Sequence, residues 1–213
     1  MLHITTTSHL YSCQPKTKDE LQEIVAKRIE NEGPDCDLND IDVSKITDMS
    51  NLFNRSSVVW DNNTIFKDFN CDITDWDVSN VTDMHDMFWG CEKFNCDLSD
   101  WDVSNVKDMS AIFCLCRLFN CDISKWNVSN VIHMNNMFNA CNTFNCDLSQ
   151  WDVSNVEDIF YMFSDCKNFN QNLDKWNIKS LNKNRMSTAF SGCPTQPIWY
   201  KKTVSEKTVT NNK

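Results

Sequence analysis

Tryptophan recurs at Trp76, Trp101, Trp126, Trp151 and Trp176, each 25 residues after the one before. Around each stands nearly the same sentence, and CDLSDWDVSNVKDMSAIFCLCRLFN, beginning at Cys96, is one complete copy. A unit this short cannot enclose its own apolar side chains. It must bury them on copies of itself stacked before and after, so the chain is expected to grow as a column of like units.

The pattern inside the unit has two phases. Met84, Met87, Phe88 and Cys91 have helical spacing, which predicts a short helix over TDMHDMFWGC with that face inward. FNCDLSDW alternates instead, with Phe94, Cys96 and Leu98 on one side and Asn95, Asp97 and Ser99 on the other, which predicts a short strand. One strand and one helix per 25 residues predicts an α/β repeat. The expected fold is a leucine-rich-repeat-like right-handed solenoid of five to six units, its rungs about 4.8 Å apart. Every repeated position then forms a ladder, with the Phe and Trp ladders in the core.

The flanks differ from the column. Residues 1–16 are expected to be flexible. Thr17 and Glu20 form a capping box ahead of Lys18 to Glu32, where Leu21, Ile24, Val25 and Ile29 make an apolar stripe interrupted by Arg28. Gly33 and Pro34 stop this helix, so 17–34 reads as an N-terminal cap over a repeat region at 35–193. An insertion, RSSVVWDNNT, lies near 54–65, and the final unit carries Lys179, Lys183 and Arg185 in place of its acids. Residues 194–213 read as a polar tail.

Composition narrows the function. A formal charge of −10 repels phosphate backbones and anionic headgroups, which sets nucleic acid and lipid surfaces aside as partners. No apolar run reaches the roughly 18 residues of a membrane span. The opening MLHITTTSHLYSC has neither a basic nor a continuous apolar region, so no secretory signal is read there and an intracellular location is expected. Most of the 12 cysteines follow the repeat. Cys36, Cys71, Cys96, Cys121 and Cys146 form one column, and Cys91, Cys116, Cys141, Cys166 and Cys193 another. Packed, reduced thiols are the expectation.

The recurring W-[DN]-V-S-N-V-x-D-M-x-x-M-F-x-x-C-x-x-F-N-x-D-[LI]-S resembles the 25-residue repeat of mycoplasma surface lipoproteins, a domain family of unknown function. That repeat also goes under the heading of BspA-like leucine-rich repeats, with relatives in large DNA viruses. The lead-in KTKDELQEIVAKRIENEGPDCDLNDIDVSKITDMSNLF is similar to the segment preceding the repeats in that family, and the likeness covers roughly residues 15 to 193. The resemblance implies adhesion or protein binding and no reaction. The missing signal points to an intracellular or virus-type member, in a host cytoplasm or a virion.

Chemistry gives less. Asp72, Asp97, Asp122 and Asp147 form one acidic ladder, and Asp77, Asp102 and Asp152 another. Stacked carboxylates repel, so either calcium or local hydrogen bonds must relieve them. Three glycines are too few for the Gly-rich calcium nonapeptide. No zinc spacing converges, and no catalytic motif interrupts the repetition. The expectation is a monomeric, non-enzymatic protein-interaction scaffold with no cofactor and an unknown protein partner. The alternatives are a purely structural or surface-adhesion repeat protein, or a calcium-binding one. Its acidic, Asn-rich face would carry Asn95, Asp97, Ser99, Asn120, Asp122, Ser124, Asn145, Asp147 and Ser149. Beside them lies the column that changes from unit to unit: Asp75, Asp100, Lys125, Gln150 and Lys175.

Overall fold

A computed structural model describes residues 11–55, 65–182, 186 and 188–210. Apart from Arg55, the insertion lies outside the described residues, as do Lys183 and Arg185. The repeats divide at the first cysteine column into units 1 to 6, beginning at residues 36, 71, 96, 121, 146 and 171.

Each unit is a closed path of tight turns. In unit 3, Trp101, Val106, Ile112, Cys114, Cys116 and Phe119 each donate their N–H to the carbonyl three residues back, at 3.0–3.3 Å. Here the local elements differ from expectation. Among the described residues the α-helices are α1 (Lys18–Glu32) and α2 (Ile198–Thr210), and the repeats contain isolated parallel bridges rather than strands.

The predicted helix fails because its amides are used elsewhere. Met84, Asp86, Phe88 and Gly90 donate to Asp108, Ser110, Ile112 and Cys114 of the next unit at 2.8–3.0 Å. Every second N–H points along the column, which an α-helix does not permit. Left-handed residues four apart make the alternation possible: Asp86 (φ 55°) and Gly90 (φ 77°), then Ala111 and Leu115, Asn136 and Ala140, Tyr161 and Asp165. The inward set is nonetheless as read, because Met84, Met87, Phe88 and Cys91 are all fully buried.

The predicted strand fails for a related reason. Asn95 N–H donates to the Asn70 side chain at 2.8 Å, Leu98 N–H to Cys121 Sγ at 3.1 Å, and Ser99 N–H to Asp97 at 3.0 Å. Side chains fill the places that a neighbouring backbone would take in a sheet. Phe94 and Leu98 are buried and Cys96 is only half-buried. Units 1 and 2 differ, pairing through backbone from Leu38 N–H to Asp72 O and from Asp72 N–H to Cys36 O, both 2.9 Å.

Aromatic ladders form the core. Within each of units 1 to 5 two Phe rings stack at 3.9–4.4 Å, as Phe113 does on Phe119. Along the column successive rings sit 5.1–6.1 Å apart. The five repeat tryptophans are only 4–5% exposed. Each indole N–H donates to a carbonyl of the preceding unit at 2.9–3.2 Å, from Trp76 to Leu38 through Trp176 to Leu148.

Both ends of the column are covered. Thr17 caps α1, accepting from Glu20 N–H at 3.2 Å, while the Glu20 carboxylate accepts from Lys16 N–H at 2.7 Å. Leu21, Val25 and Ile29 are buried, and Gln22 donates to Leu52 O of unit 1 at 2.8 Å. Arg28, the break in the apolar stripe, reaches Asp40 at 3.1 Å and Asp37 O at 2.8 Å, so it ties the cap to unit 1. Residues 12–14, expected to be flexible, pair with unit 1 through Ser12 N–H to Asp40 O and Asp42 N–H to Cys13 O. The expected tail holds α2, whose Trp199 indole donates to Leu173 O at 2.9 Å. That is the bond each repeat tryptophan makes. Trp199 thus continues the ladder past unit 6, with Tyr200 buried beside it against Phe190 at 4.9 Å.

Candidate partner-binding face

The polar residues read from FNCDLSDW do lie together. Asn95, Asp97, Asn120, Asp122 and Asp147 are exposed, while Asn145, Ser99, Ser124 and Ser149 are half-buried. They line shallow depressions down the column. One, of about 450 Å³, is bounded by Asn95, Asp97, Ser99, Cys121, Asp122 and Lys125. A second, of about 230 Å³, lies between Asn120 and Asp147, and a third, of about 210 Å³, between Asp147 and Lys175. Asp75, Asp100 and Gln150 are exposed but line none of these three.

The Asn and Asp side chains of this face each give an acceptor to the fold. The Asn70, Asn95, Asn120 and Asn145 side chains each accept the backbone N–H of the next Asn in the ladder, at 2.7–3.0 Å. Asp97, Asp122 and Asp147 each accept the N–H two residues on, closing an Asx turn at 2.9–3.0 Å. The Ser99 and Ser124 hydrogen bonds hold the Asp97 and Asp122 carboxyls below their usual range. A second Asx column runs through Asp77, Asp102, Asn127 and Asp152, and a third through Asp48, Asp83, Asp108 and Asp158. Local donors thus stabilise each stacked carboxylate. Among the described residues no three His, Cys, Asp or Glu side chains converge as metal ligands would.

Cysteine supports the same framework. In the second column Cys91, Cys116, Cys141, Cys166 and Cys193 each direct Sγ–H at a Phe carbonyl of the preceding unit, at 2.7–3.2 Å. Cys121 and Cys146, in the first column, sit against Asp97 and Asp122 at 3.6 and 3.5 Å. Burial pushes these two thiols up to about 12 and about 11. Such thiols are poor nucleophiles at neutral pH.

A second surface was not read from the sequence. It follows the turns that replace the predicted helix, where the two residues between the first pair of inward Met, Leu or Ile side chains form a different pair in every unit: Ser50-Asn51, His85-Asp86, Ser110-Ala111, Asn135-Asn136 and Phe160-Tyr161. His85 lies between Asp83 at 2.8 Å and the Asn51 amide at 3.0 Å. Ser110 donates to Asn135 at 2.8 Å. Phe160 and Tyr161 are half-buried and meet edge to face at 4.2 Å. Tyr161 is left-handed (φ 55°), a conformation costing about 1 kcal/mol or more in a bulky residue, where units 1 and 4 use Asn. The signal was present in the repeats themselves, as one of the stretches where they disagree from unit to unit.

Comparison with known proteins gives one match. The model of the family described as Mycoplasma protein of unknown function, DUF285, matches residues 21–123 and again 97–198. No curated protein and no solved structure matches. Among the described residues no helix is long and apolar enough to cross a membrane.

Proposed function

Because the chain belongs to that Mycoplasma family of unknown function, we propose for it a non-enzymatic protein-interaction scaffold, built as a right-handed, leucine-rich-repeat-like solenoid. The carrying observation is the contrast between the two surfaces. The Asn, Asp and Ser columns are nearly identical from unit to unit, the Asn side chains bridging units and the Asp side chains closing turns within them. The His85, Asn135 and Phe160 stretch varies in every unit and costs backbone strain at Tyr161. Selective contact belongs where side chains differ and keep spare surface. In this reading Phe160 and Tyr161 anchor the partner, and Lys125, Gln150 and Lys175 with Asp75 and Asp100 border a second, weaker face. The committed polar columns favour a structural role for Asn95, Asp97, Ser99 and their equivalents.

Affinity capture from a native lysate tests this with two variants. One carries Phe160→Ala with Tyr161→Asn; the other neutralises Asp75, Asp100, Lys125 and Lys175. Partners lost with the first variant and kept with the second support the proposal. The reverse places binding on the acidic face, and equal capture by both variants leaves a purely structural repeat.

A further inference from the structure

The first cysteine column is regular except at its first step. Cys36 and Cys71 bring their sulfurs to 3.1 Å, closer than two unbonded sulfurs ordinarily pack. They flank a backbone pairing between units, where Asp37 bridges Asp72 in parallel, Leu38 N–H donates to Asp72 O and Asp72 N–H donates to Cys36 O. Paired chains lie about 4.8 Å apart, within the 4.4–6.8 Å Cα separation of disulfides. Further along, the sulfurs have other partners. Cys121 Sγ accepts Leu98 N–H at 3.1 Å, and Cys96 lies against Thr74 at 3.6 Å.

We propose that Cys36 and Cys71 are an oxidation site, forming a disulfide that staples unit 1 to unit 2 across the insertion. With hydrogen peroxide as the oxidant, Cys36 Sγ loses its proton and attacks a peroxide oxygen. The O–O bond breaks, the leaving hydroxide takes up a proton to become water, and Cys36 holds a sulfenic acid. Cys71, whose thiol pKa burial raises, then attacks the Cys36 sulfur and passes its proton to the sulfenic oxygen as it does so; the S–S bond forms, the S–O bond breaks and that oxygen leaves as a second water. Two thiols lose two protons and two electrons, and the peroxide takes them up. Cys36 is the first to react because it is 7% exposed where Cys71 is fully enclosed. Burial raises the Cys36 thiol pKa, and the hydrogen bond from Cys71 offsets part of that rise by favouring the thiolate. Cys71 otherwise directs its proton at Pro34 O, 3.1 Å away. Cys166 and Cys193 also interact, but each directs its proton at a Phe carbonyl, at 2.8 and 2.7 Å.

The test uses the folded full chain, treated with hydrogen peroxide, quenched, denatured and alkylated without reduction. Mass spectrometry should show two fewer labels than the 12 cysteines of the untreated protein. Peptide mapping should join the peptide of Cys36 to that of Cys71, with fragmentation placing the link at Cys71 rather than at Cys91 in the same tryptic peptide. The treated protein should melt roughly 6–15 °C higher, as expected for closing a loop of this size. Cys36→Ser should keep every remaining thiol free, whereas Cys71→Ser should form no bridge and carry the added oxygen on Cys36. In the wild-type chain, full labelling after treatment, oxygen added to Cys36 without a bridge, or a bridge at Cys166–Cys193 or Cys71–Cys96 instead would each overturn the proposal. The wild-type map decides the matter even if a variant folds poorly.

Discussion

Trp126→Ala removes one indole from the middle of the column, where nothing at the ends can compensate. The ring is 4% exposed, packs at 6.1 Å from Phe113 and donates to Leu98 O at 2.9 Å. An indole takes about 200 Å² from water, which at about 25 cal/mol per Å² corresponds to roughly 5 kcal/mol. That is an upper figure, because the unfolded chain already buries some of this area. Trp→Ala changes in cores fall at about 3–5 kcal/mol. At about 2–4 °C per kcal/mol for a chain of this size, Tm should fall by roughly 6–20 °C. Trp126→Phe separates the two contributions. It keeps most of the ring and loses the N–H, while Leu98 O retains its turn bond from Trp101 at 3.2 Å, so about 1–2 kcal/mol is expected. Urea and thermal unfolding followed by tryptophan fluorescence and circular dichroism measure both. A loss below about 1 kcal/mol for the alanine variant would refute the buried-ladder reasoning. Equal losses for alanine and phenylalanine would show that the hydrogen bond, not the ring, carries the energy.

Three further outcomes follow from the geometry. Asp122→Asn should be nearly neutral, since Asn keeps the oxygen that accepts Ser124 N–H, as Asn127 and Asn172 do elsewhere, whereas Asp122→Ala should lower Tm measurably. The carboxyls of Asp72, Asp97, Asp102, Asp122 and Asp152 are held low when folded, so their stabilisation is complete above their unfolded values near pH 4. It should drain away as pH falls through the lower folded ones, and a pH series of thermal melts checks this sign. Trp199→Ala should expose the end of unit 6, raising hydrogen exchange in residues 171–182 and 198–204 while units 2 to 4 stay protected. An even rise along the whole column would refute the role of α2 as a local cover.

Much of the core was legible because burial depends on spacing rather than on the element that provides it. Met84, Met87, Phe88 and Cys91 point inward whether the backbone is helical or a run of three-residue turns, since both return to the same side at similar intervals. For the same reason the spacing could not tell the two apart. The left-handed positions hold a clue in Gly90, Asn51 and Asn136, but Ala111 and Tyr161 mask it. The helix α1 was legible from its own cap and stop. By contrast α2 carries no apolar stripe over WYKKTVSEKTVT; it is anchored by the Trp199 indole on a carbonyl and by Tyr200 against Phe190, which no periodicity reveals. Asn95, Asp97 and Ser99 with their equivalents line one side of the column. Its interior hydrogen bonds depend on inter-unit register, and a one-dimensional pattern does not show how many of them are already made.

The indole bond repeated up the column has an evolutionary corollary. Each unit bonds to its predecessor through the same atoms, and Trp199 makes that bond for whatever unit comes last. Nothing in the contacts counts the units, so copy number is free to drift. Gain or loss of a whole period leaves both lids seated, whereas a slip of one residue within a unit would misplace every ladder at once. The first unit already tolerates extra length between periods: Trp76 reaches Leu38 across 38 residues, where later tryptophans span 28, and makes the same bond at 3.0 Å. Whole-period duplications and insertions at that one seam are therefore the changes in length that this architecture absorbs.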